Sequence, residues 1–253
     1  MVKFTIDPVI QRERALRDLS SFLGTNDMVD TCKNEGKIFG IGFGKTGTTS
    51  LARSLQLLGC NVLHDVSGPV WDRPLKNDLS MLKRIAFDAY INPAPKSFYM
   101  YDSAFPNSKF ILTTRSPDTW FKSILSWRAA IDKIVNGIPA RKHWSESSGL
   151  QSLLGNASDL QLHAYLEYIE NFGSIGTNKE SFVYKFNRHI EEVKQYFAER
   201  PNDLLVLPVE SPDKSTLLSA FLSKDWPKNI DYPHENRQTA RGLGSGPRHP
   251  QTL

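Results

Sequence analysis

The pattern of apolar and polar positions divides the chain into short apolar runs and longer stretches with apolar residues at helical spacing. Residues 37–59, KIFGIGFGKTGTTSLARSLQLLG, combine both patterns, because an apolar run is followed by three glycines and then by leucines on one helical face. This order predicts a strand, a glycine-rich loop and a helix. Further apolar runs predict strands at residues 62–63, 86–92, 110–112 and 204–209.

Amphipathic stretches separate these apolar runs. They predict helices at residues 7–24, 75–85, 117–134, 162–169, 182–197 and 217–222. Buried strands that alternate with helices are typical of an α/β domain, in which helices flank a parallel sheet. The chain has 253 residues, which is enough for one large catalytic domain with additions.

The glycine-rich loop has the composition of an anion site. Glycines at 42, 44 and 47 let backbone N–H groups approach a ligand, and Thr48, Thr49 and Ser50 open the following helix, whose positive dipole end favours an anion. In the pattern GxxxxGK[ST], Thr48 occupies the lysine position, and Lys45 lies three residues earlier. The loop therefore predicts a bound phosphate or similar oxyanion, and a turn without a ligand is the alternative.

A second anion site is predicted within residues 109–127, KFILTTRSPDTWFKSILSW. Arg115 follows a buried apolar run and therefore lies at the C-terminal end of a strand. Ser123 lies about six residues, or ~9 Å, into the next helix, so both side chains can meet one oxyanion near the glycine loop. Trp120 and Trp127 repeat at helical spacing and are interpreted as core residues.

Composition narrows the function further. The two cysteines, Cys32 and Cys60, are too few for a disulfide framework, and no histidine or cysteine cluster has zinc spacing, so we expect a cytoplasmic protein without a metal site. No signal sequence or transmembrane segment is predicted. The net charge of +4 suits an anionic ligand, but the basic residues are spread along the chain and do not predict a nucleic-acid partner.

With these motifs in place, the chain resembles the sulfotransferase family that uses 3'-phosphoadenosine 5'-phosphosulfate (PAPS) as donor. The resemblance rests on KTGTT at residues 45–49, on Arg115 with Ser123 eight positions later, and on FPNSKFILTTR, PDTWFKS, HIEEVKQYF, LLVLPV and YPHEN. These segments are similar to the bacterial-type branch of the family. The resemblance implies a P-loop-NTPase-like fold at residues 37–236, with an N-terminal helical extension at 1–36 and a basic, Gly/Pro-rich tail at 237–253.

The resemblance also implies roles for the two anion sites. Lys45 would stabilise the leaving phosphate of a PAPS-dependent transferase of the EC 2.8.2 type, with 3'-phosphoadenosine 5'-phosphate (PAP) as product and without a metal. Arg115 and Ser123 would bind the 3'-phosphate, and Arg241 loosely matches an Arg-Lys-Gly loop that closes this site in relatives. The other donor-binding residues by resemblance are Thr46, Gly47, Thr48, Thr49 and Ser50.

The chain departs from the family at two positions. Relatives place a histidine or aspartate before a proline on the strand preceding KFILTTR, whereas this chain has Asn92, which is not a base. His64, Asp88 or a weaker acid on the acceptor itself is then expected to take that role, and the sequence does not separate them. The family's adenine-stacking tryptophan is replaced by Ser50.

The predicted acceptor is a hydroxyl or amine of a small molecule, lipid or sugar. Its pocket is expected at residues 64–75, 88–100 and 137–155, where aromatic side chains indicate a partly apolar site. Two alternatives stay open. Asp65 as a metal ligand would suit a P-loop kinase or NTPase, and Asn92 would suit a non-catalytic protein that binds PAP or PAPS.

Overall fold

Five parallel strands form one sheet in the computed structural model, which describes residues 36–64, 87–92, 95–136, 171–173 and 178–234. The strand order is β2-β3-β1-β4-β5. The bounds of the strands are Ile38–Gly40 for β1, Val62–His64 for β2, Ala89–Ile91 for β3, Lys109–Thr114 for β4 and Leu204–Pro208 for β5. All five strands were predicted from apolar runs, and their parallel pairing confirms the α/β fold.

Helices follow the strands along the chain. Their bounds are Thr48–Leu57 for α1, Phe98–Ala104 for α2, Pro117–Asn136 for α3, Lys179–Tyr196 for α4 and Lys214–Leu222 for α5. Short 3-10 helices at Pro95–Ser97 and Pro201–Asp203 precede α2 and β5. The helices predicted after the glycine loop, at Pro117, over 182–197 and over 217–222 are thereby confirmed, with boundaries shifted by a few residues.

The two faces of the sheet bury different side chains. On β1 the side chain of Phe39 packs with an aromatic cluster against α2 and α4, whereas Ile38 packs with an aliphatic cluster against α1 and α5. Adjacent residues of β4 alternate in the same way, since Phe110 belongs to the aromatic cluster and Ile111 to the aliphatic one. The result is a three-layer arrangement, with helices on both faces of a sheet whose central strands are buried.

Helix α4 shows how the sequence sets this packing. The side chain of Asn178 accepts a hydrogen bond from the backbone N–H of Ser181 at 2.8 Å and caps the helix. The buried positions then recur at helical spacing, at Phe182, Phe186, His189 and Val193. A single stripe therefore anchors α4 to the sheet, and one member of that stripe is a histidine.

Several predictions lie outside the described residues. They are the helices at 7–24, 75–85 and 162–169, most of the N-terminal extension, the loop at 137–155 and the tail at 237–253. The domain boundaries at 36 and 236 stay predictions.

Among the helices that the structure describes, none is long and apolar enough to cross a membrane.

Candidate active site

The glycine-rich loop connects β1 to α1 at the carboxyl edge of the sheet, where ligands of parallel α/β sheets gather. Gly42 lies directly against β4. A Cβ atom at this position would lie 2.1 Å from Thr113 Oγ1 and 2.4 Å from the Thr113 carbonyl oxygen, so only glycine fits. The loop then turns through left-handed backbone at Lys45, with φ of 70°, and at Gly47, with φ of 95°.

Thr46 closes the loop from within. Its hydroxyl lies 2.6 Å from the Phe43 carbonyl oxygen and 2.6 Å from Thr113 Oγ1, and its side chain is buried. The Thr46 backbone N–H also donates to the Phe43 carbonyl oxygen, at 3.3 Å. The Thr46 side chain therefore helps to fold the loop, and its role in donor binding stays a prediction.

The N-terminus of α1 has no side-chain cap and carries hydroxyl groups in its first turn. The first N–H groups of a helix have no partner within the helix, and Gly47 as the N-cap residue supplies no side chain to cap them. The hydroxyl-bearing residues Thr48, Thr49 and Ser50 form the first turn, with Thr49 half-buried and the other two buried. This arrangement fits the oxyanion that the sequence predicted.

Helix α3 and Arg115, which precedes it, contact the glycine-rich loop. The indole Nε1–H of Trp120 donates to the Gly44 carbonyl oxygen at 3.1 Å, and Nη1–H of Arg115 donates to the Lys45 carbonyl oxygen at 3.3 Å. The ammonium of Lys45 lies 5.8 Å from the centroid of the Trp127 ring, within cation–π range. The carbonyl groups of Gly44 and Lys45 therefore both accept a hydrogen bond from this part of the chain.

Arg115 lies directly after β4, as predicted. Its Nε–H donates to Thr119 Oγ1 at 3.2 Å. Ser123 is one helical turn beyond Thr119 and half-buried, on the face of α3 that also carries Trp120 and Trp127. The structure thus brings Lys45, Arg115 and Ser123 to the same part of the carboxyl edge.

His64 and Asn92 occupy the other part of this edge. His64 is the last residue of β2 and pairs in register with Ile91, the last residue of β3. Asn92 follows with φ of 60°, and its backbone N–H donates to the Gly40 carbonyl oxygen at 2.9 Å. Because neighbouring strands are ~4.8 Å apart, the end of β2 lies about 10 Å from the end of β1. His64 is therefore on the ligand edge, close to the loop.

Asp88 lies at the opposite edge. It precedes β3, and its Oδ2 accepts a hydrogen bond at 2.7 Å from the backbone N–H of Asn61, which precedes β2. Strands β2 and β3 run in parallel, so residues before them meet at the amino edge of the sheet. This placement argues against Asp88 as the base and assigns it to joining two strands.

His189 is a residue of the site region that sequence reasoning missed. Its Nε2–H donates at 2.8 Å to the carbonyl oxygen of Ile41, the residue before Gly42, and its ring packs on Phe43 with centroids 4.4 Å apart. Burial lowers the pKa of this imidazole, which is 2% exposed, so the ring is neutral at pH 7. The neutral ring supports the start of the loop through its hydrogen bond to Ile41. A histidine within the apolar stripe of α4 was the signal available.

Thr113, Thr119 and Trp127 were missed as well. Trp127 was interpreted as core but is half-buried beside Lys45, whereas Trp120 is fully buried as predicted and also holds the loop. Arg241, and Asp65 of the kinase alternative, lie outside the described residues. Within the described part of the chain, no group of three or more histidine, cysteine, aspartate or glutamate side chains has the arrangement of a metal site.

A comparison with sequence models of protein families identifies the family of this chain. The sequence model of a family described as "Sulfotransferase domain" matches residues 37–241, which span the sheet and both predicted anion sites. No curated protein matches the chain significantly.

Proposed function

This chain belongs to the sulfotransferase domain family, and from that membership we propose that it transfers a sulfuryl group from PAPS to a hydroxyl or amine of a small molecule, lipid or sugar. One observation carries the proposal. Lys45 and Arg115 are two cations at the same edge, and the guanidinium of one donates to the carbonyl of the other at 3.3 Å. A ligand with phosphate groups at both its 5' and its 3' end suits such a pair.

The arrangement favours PAPS over ATP. The N-terminus of α1 and Lys45 would hold the 5'-phosphosulfate, which leaves Arg115 and Ser123 for a second phosphate. ATP carries its phosphates in a single chain and would leave the second site unused. A donor with a separate 3'-phosphate uses both sites, and PAP is then the product.

The reaction follows from the placement of charge. The acceptor oxygen or nitrogen forms a bond to sulfur while the bond between sulfur and the 5'-phosphate oxygen breaks, and the electron pair of that bond stays on the phosphate oxygen. Lys45 and the helix N-terminus would stabilise the negative charge that grows there. The acceptor proton passes to a base, and the products are PAP and a sulfate ester or sulfamate.

His64 is the favoured base. It lies on the ligand edge, whereas Asp88 lies at the opposite edge, and the side chain of Asn92 has no basic lone pair to receive a proton. A neutral imidazole has a ring nitrogen with a lone pair that can accept a proton, as a general base requires. His64 therefore replaces the acid or histidine that relatives carry at the position of Asn92.

The donor is tested by thermal unfolding of the full chain with PAP, and separately with ATP and magnesium. A ligand at a hundred times its Kd adds about 2.7 kcal/mol, which raises the Tm of a chain of this size by about 5 to 10 °C. We expect this shift with PAP, its loss in Arg115→Ala, and its retention in Lys122→Ala, which removes an exposed charge from the helix that follows Arg115.

A shift with ATP and magnesium alone would favour the kinase or NTPase alternative instead. A shift with PAP, combined with no release of PAP from PAPS over a panel of phenols, sugars and amines, would favour a non-catalytic binding protein. That second candidate rests on Asn92 at the position of the family's base. The bacterial-type branch and a cytoplasmic location stay predictions.

A further inference from the structure

Lys45 has an unusual backbone for the residue that would meet the leaving group. Its φ of 70° lies in the left-handed region, which residues other than glycine seldom adopt. Such a conformation persists only where neighbouring groups hold it. In the part of the chain that the structure describes, the Lys45 carbonyl oxygen accepts a hydrogen bond from Arg115 Nη1–H at 3.3 Å.

The guanidinium that makes this contact is itself held in place. Arg115 Nε–H donates to Thr119 Oγ1 at 3.2 Å. The Thr119 hydroxyl also lies 2.6 Å from Ser116 Oγ and 3.1 Å from the Ser116 carbonyl oxygen. The backbone N–H of Ser116 donates to Glu210 Oε1, at 3.1 Å, beyond the end of β5. The side chain of Arg115 is thus hydrogen-bonded to the first turn of α3. The residue that precedes this helix is in turn hydrogen-bonded to Glu210, just after β5.

Arg115 can make these contacts and bind a phosphate at the same time. A guanidinium carries five N–H groups in a planar fork. The contacts to Thr119 and Lys45 use Nε–H and one Nη1–H, which leaves three N–H groups for an anion. Binding of a 3'-phosphate therefore need not release the Lys45 carbonyl group.

We propose that Arg115 and Thr119 act as a positioning pair for Lys45, so that the group that recognises the 3'-phosphate also sets the backbone of the residue at the leaving phosphate. The inference rests on the proposed donor and deepens it. In this arrangement Arg115 has two separable roles. One is direct contact with the 3'-phosphate, and the other is support of the 5' site even when the ligand has no 3'-phosphate.

The two roles are separated by titrating the full chain with PAP and with adenosine 5'-monophosphate (AMP), which lacks the 3'-phosphate, in isothermal calorimetry. Arg115→Ala is compared with Lys122→Ala, which removes one positive charge from α3 without touching the loop. Thr119→Val is compared with Thr119→Ser, because the two replacements leave charge unchanged and differ in the hydroxyl. Thr119 is exposed, so both should fold, and ligand-free Tm values check this for every variant.

We expect the unaltered chain to prefer PAP to AMP. Loss of a hydrogen bond that holds the loop should weaken AMP binding by about threefold to tenfold in Arg115→Ala beyond any change in Lys122→Ala. Thr119→Val should weaken AMP binding by about threefold, and Thr119→Ser should restore it.

Two results would overturn the positioning role while leaving the proposed donor intact. In the first, Arg115→Ala loses the preference for PAP but binds AMP as the unaltered chain does. In the second, Thr119→Val and Thr119→Ser bind AMP equally well, and this pair decides alone if Arg115→Ala does not fold. Absence of any preference for PAP in the unaltered chain would overturn the proposed donor and the inference with it.

Discussion

The carboxyl edge of the sheet has two halves that differ in how they are built. The donor half comprises the glycine-rich loop after β1 and Arg115 after β4, and the acceptor half comprises His64 after β2 and Asn92 after β3. In the donor half, three successive loop carbonyl groups, those of Phe43, Gly44 and Lys45, each accept a hydrogen bond from a named side chain. Side chains from neighbouring residues therefore fix the conformation of the loop backbone in the donor half.

Each half contains one departure from the pattern that the family resemblance implies, Ser50 in the donor half and Asn92 in the acceptor half. Asn92 stands at the position where the resemblance leads us to expect a base, and the imidazole of His64, which we propose in its place, belongs to the neighbouring strand. Under the proposed function, the donor half therefore relies on side chains that hold the loop backbone, whereas the acceptor half relies on a base from the end of a neighbouring strand.

The largest expected effect is in the donor half. Lys45→Ala should lower turnover by about 10³-fold, because the growing charge on the leaving phosphate loses its ammonium partner. Release of PAP from PAPS measures turnover, with Lys122→Ala as the charge-matched control. If Lys45→Ala keeps turnover within tenfold of the unaltered chain, Lys45 does not stabilise the leaving phosphate. The donor half would then contribute no more to turnover than the acceptor half.

A pair of variants in the acceptor half should show the next largest effect. His64→Ala should lower turnover by about 10²-fold, because the acceptor loses its base, whereas Asp88→Asn should keep turnover within about twofold. Asp88→Asn should instead lower the free energy of unfolding by about 1 kcal/mol, since the amide oxygen can still accept the Asn61 N–H but lacks the negative charge that strengthens the bond. The reverse pattern, with turnover lost only in Asp88→Asn, would contradict the assignment of the base.

The tight construction of the donor half predicts a stability effect at Gly42. Gly42→Ala should lower the free energy of unfolding by about 1 to 3 kcal/mol, because the added Cβ overlaps Thr113. Urea denaturation measures the change, and Gln56→Ala, at an exposed position of α1, is the control and should be nearly neutral. Equal midpoints for the two variants would mean that the loop can shift to accommodate a Cβ atom at Gly42 despite its close contact with Thr113.

The smallest expected effect concerns pH. Burial lowers the pKa of His189, and Lys96 lowers it further, while the bond to the Ile41 carbonyl group and Glu192 act in the opposite direction. Because the folded pKa lies below the unfolded value near 6.5, the unfolded state binds more protons as pH falls through 6.5. Stability should therefore decrease from pH 6.5 down to the folded pKa, by at most about 1.4 kcal/mol per pH unit, and be unaffected by this group above pH 7.

His189→Gln tests this effect, because glutamine keeps an N–H donor and does not titrate. Its free energy of unfolding should lack the part of the pH dependence that His189 contributes to the unaltered chain. Identical pH profiles for the two proteins would show that the buried imidazole is not what makes stability depend on pH in this range.

Much of the architecture could be read from local patterns. Short apolar runs, glycine clusters and apolar residues at helical spacing depend only on neighbours in the chain, so the strands, the loop and the starts of α1 and α3 were found. Arg115 was placed correctly at a strand end for the same reason. Asp88 was not, because residues 86–92 were read as one strand, and the three-residue strand that forms leaves Asp88 before it and Asn92 after it.

Taken alone, the sequence determined the α/β fold, the glycine-rich loop and the family. These features depend on short motifs, whose residues lie within a few positions of one another. Only the tertiary structure decided which side chains support the loop. His189 meets Ile41 across 148 positions, and Trp120 meets Gly44 across 76. Such contacts depend on the order of parallel strands and the helices packed on them, and local periodicity carries no information about how distant segments pair.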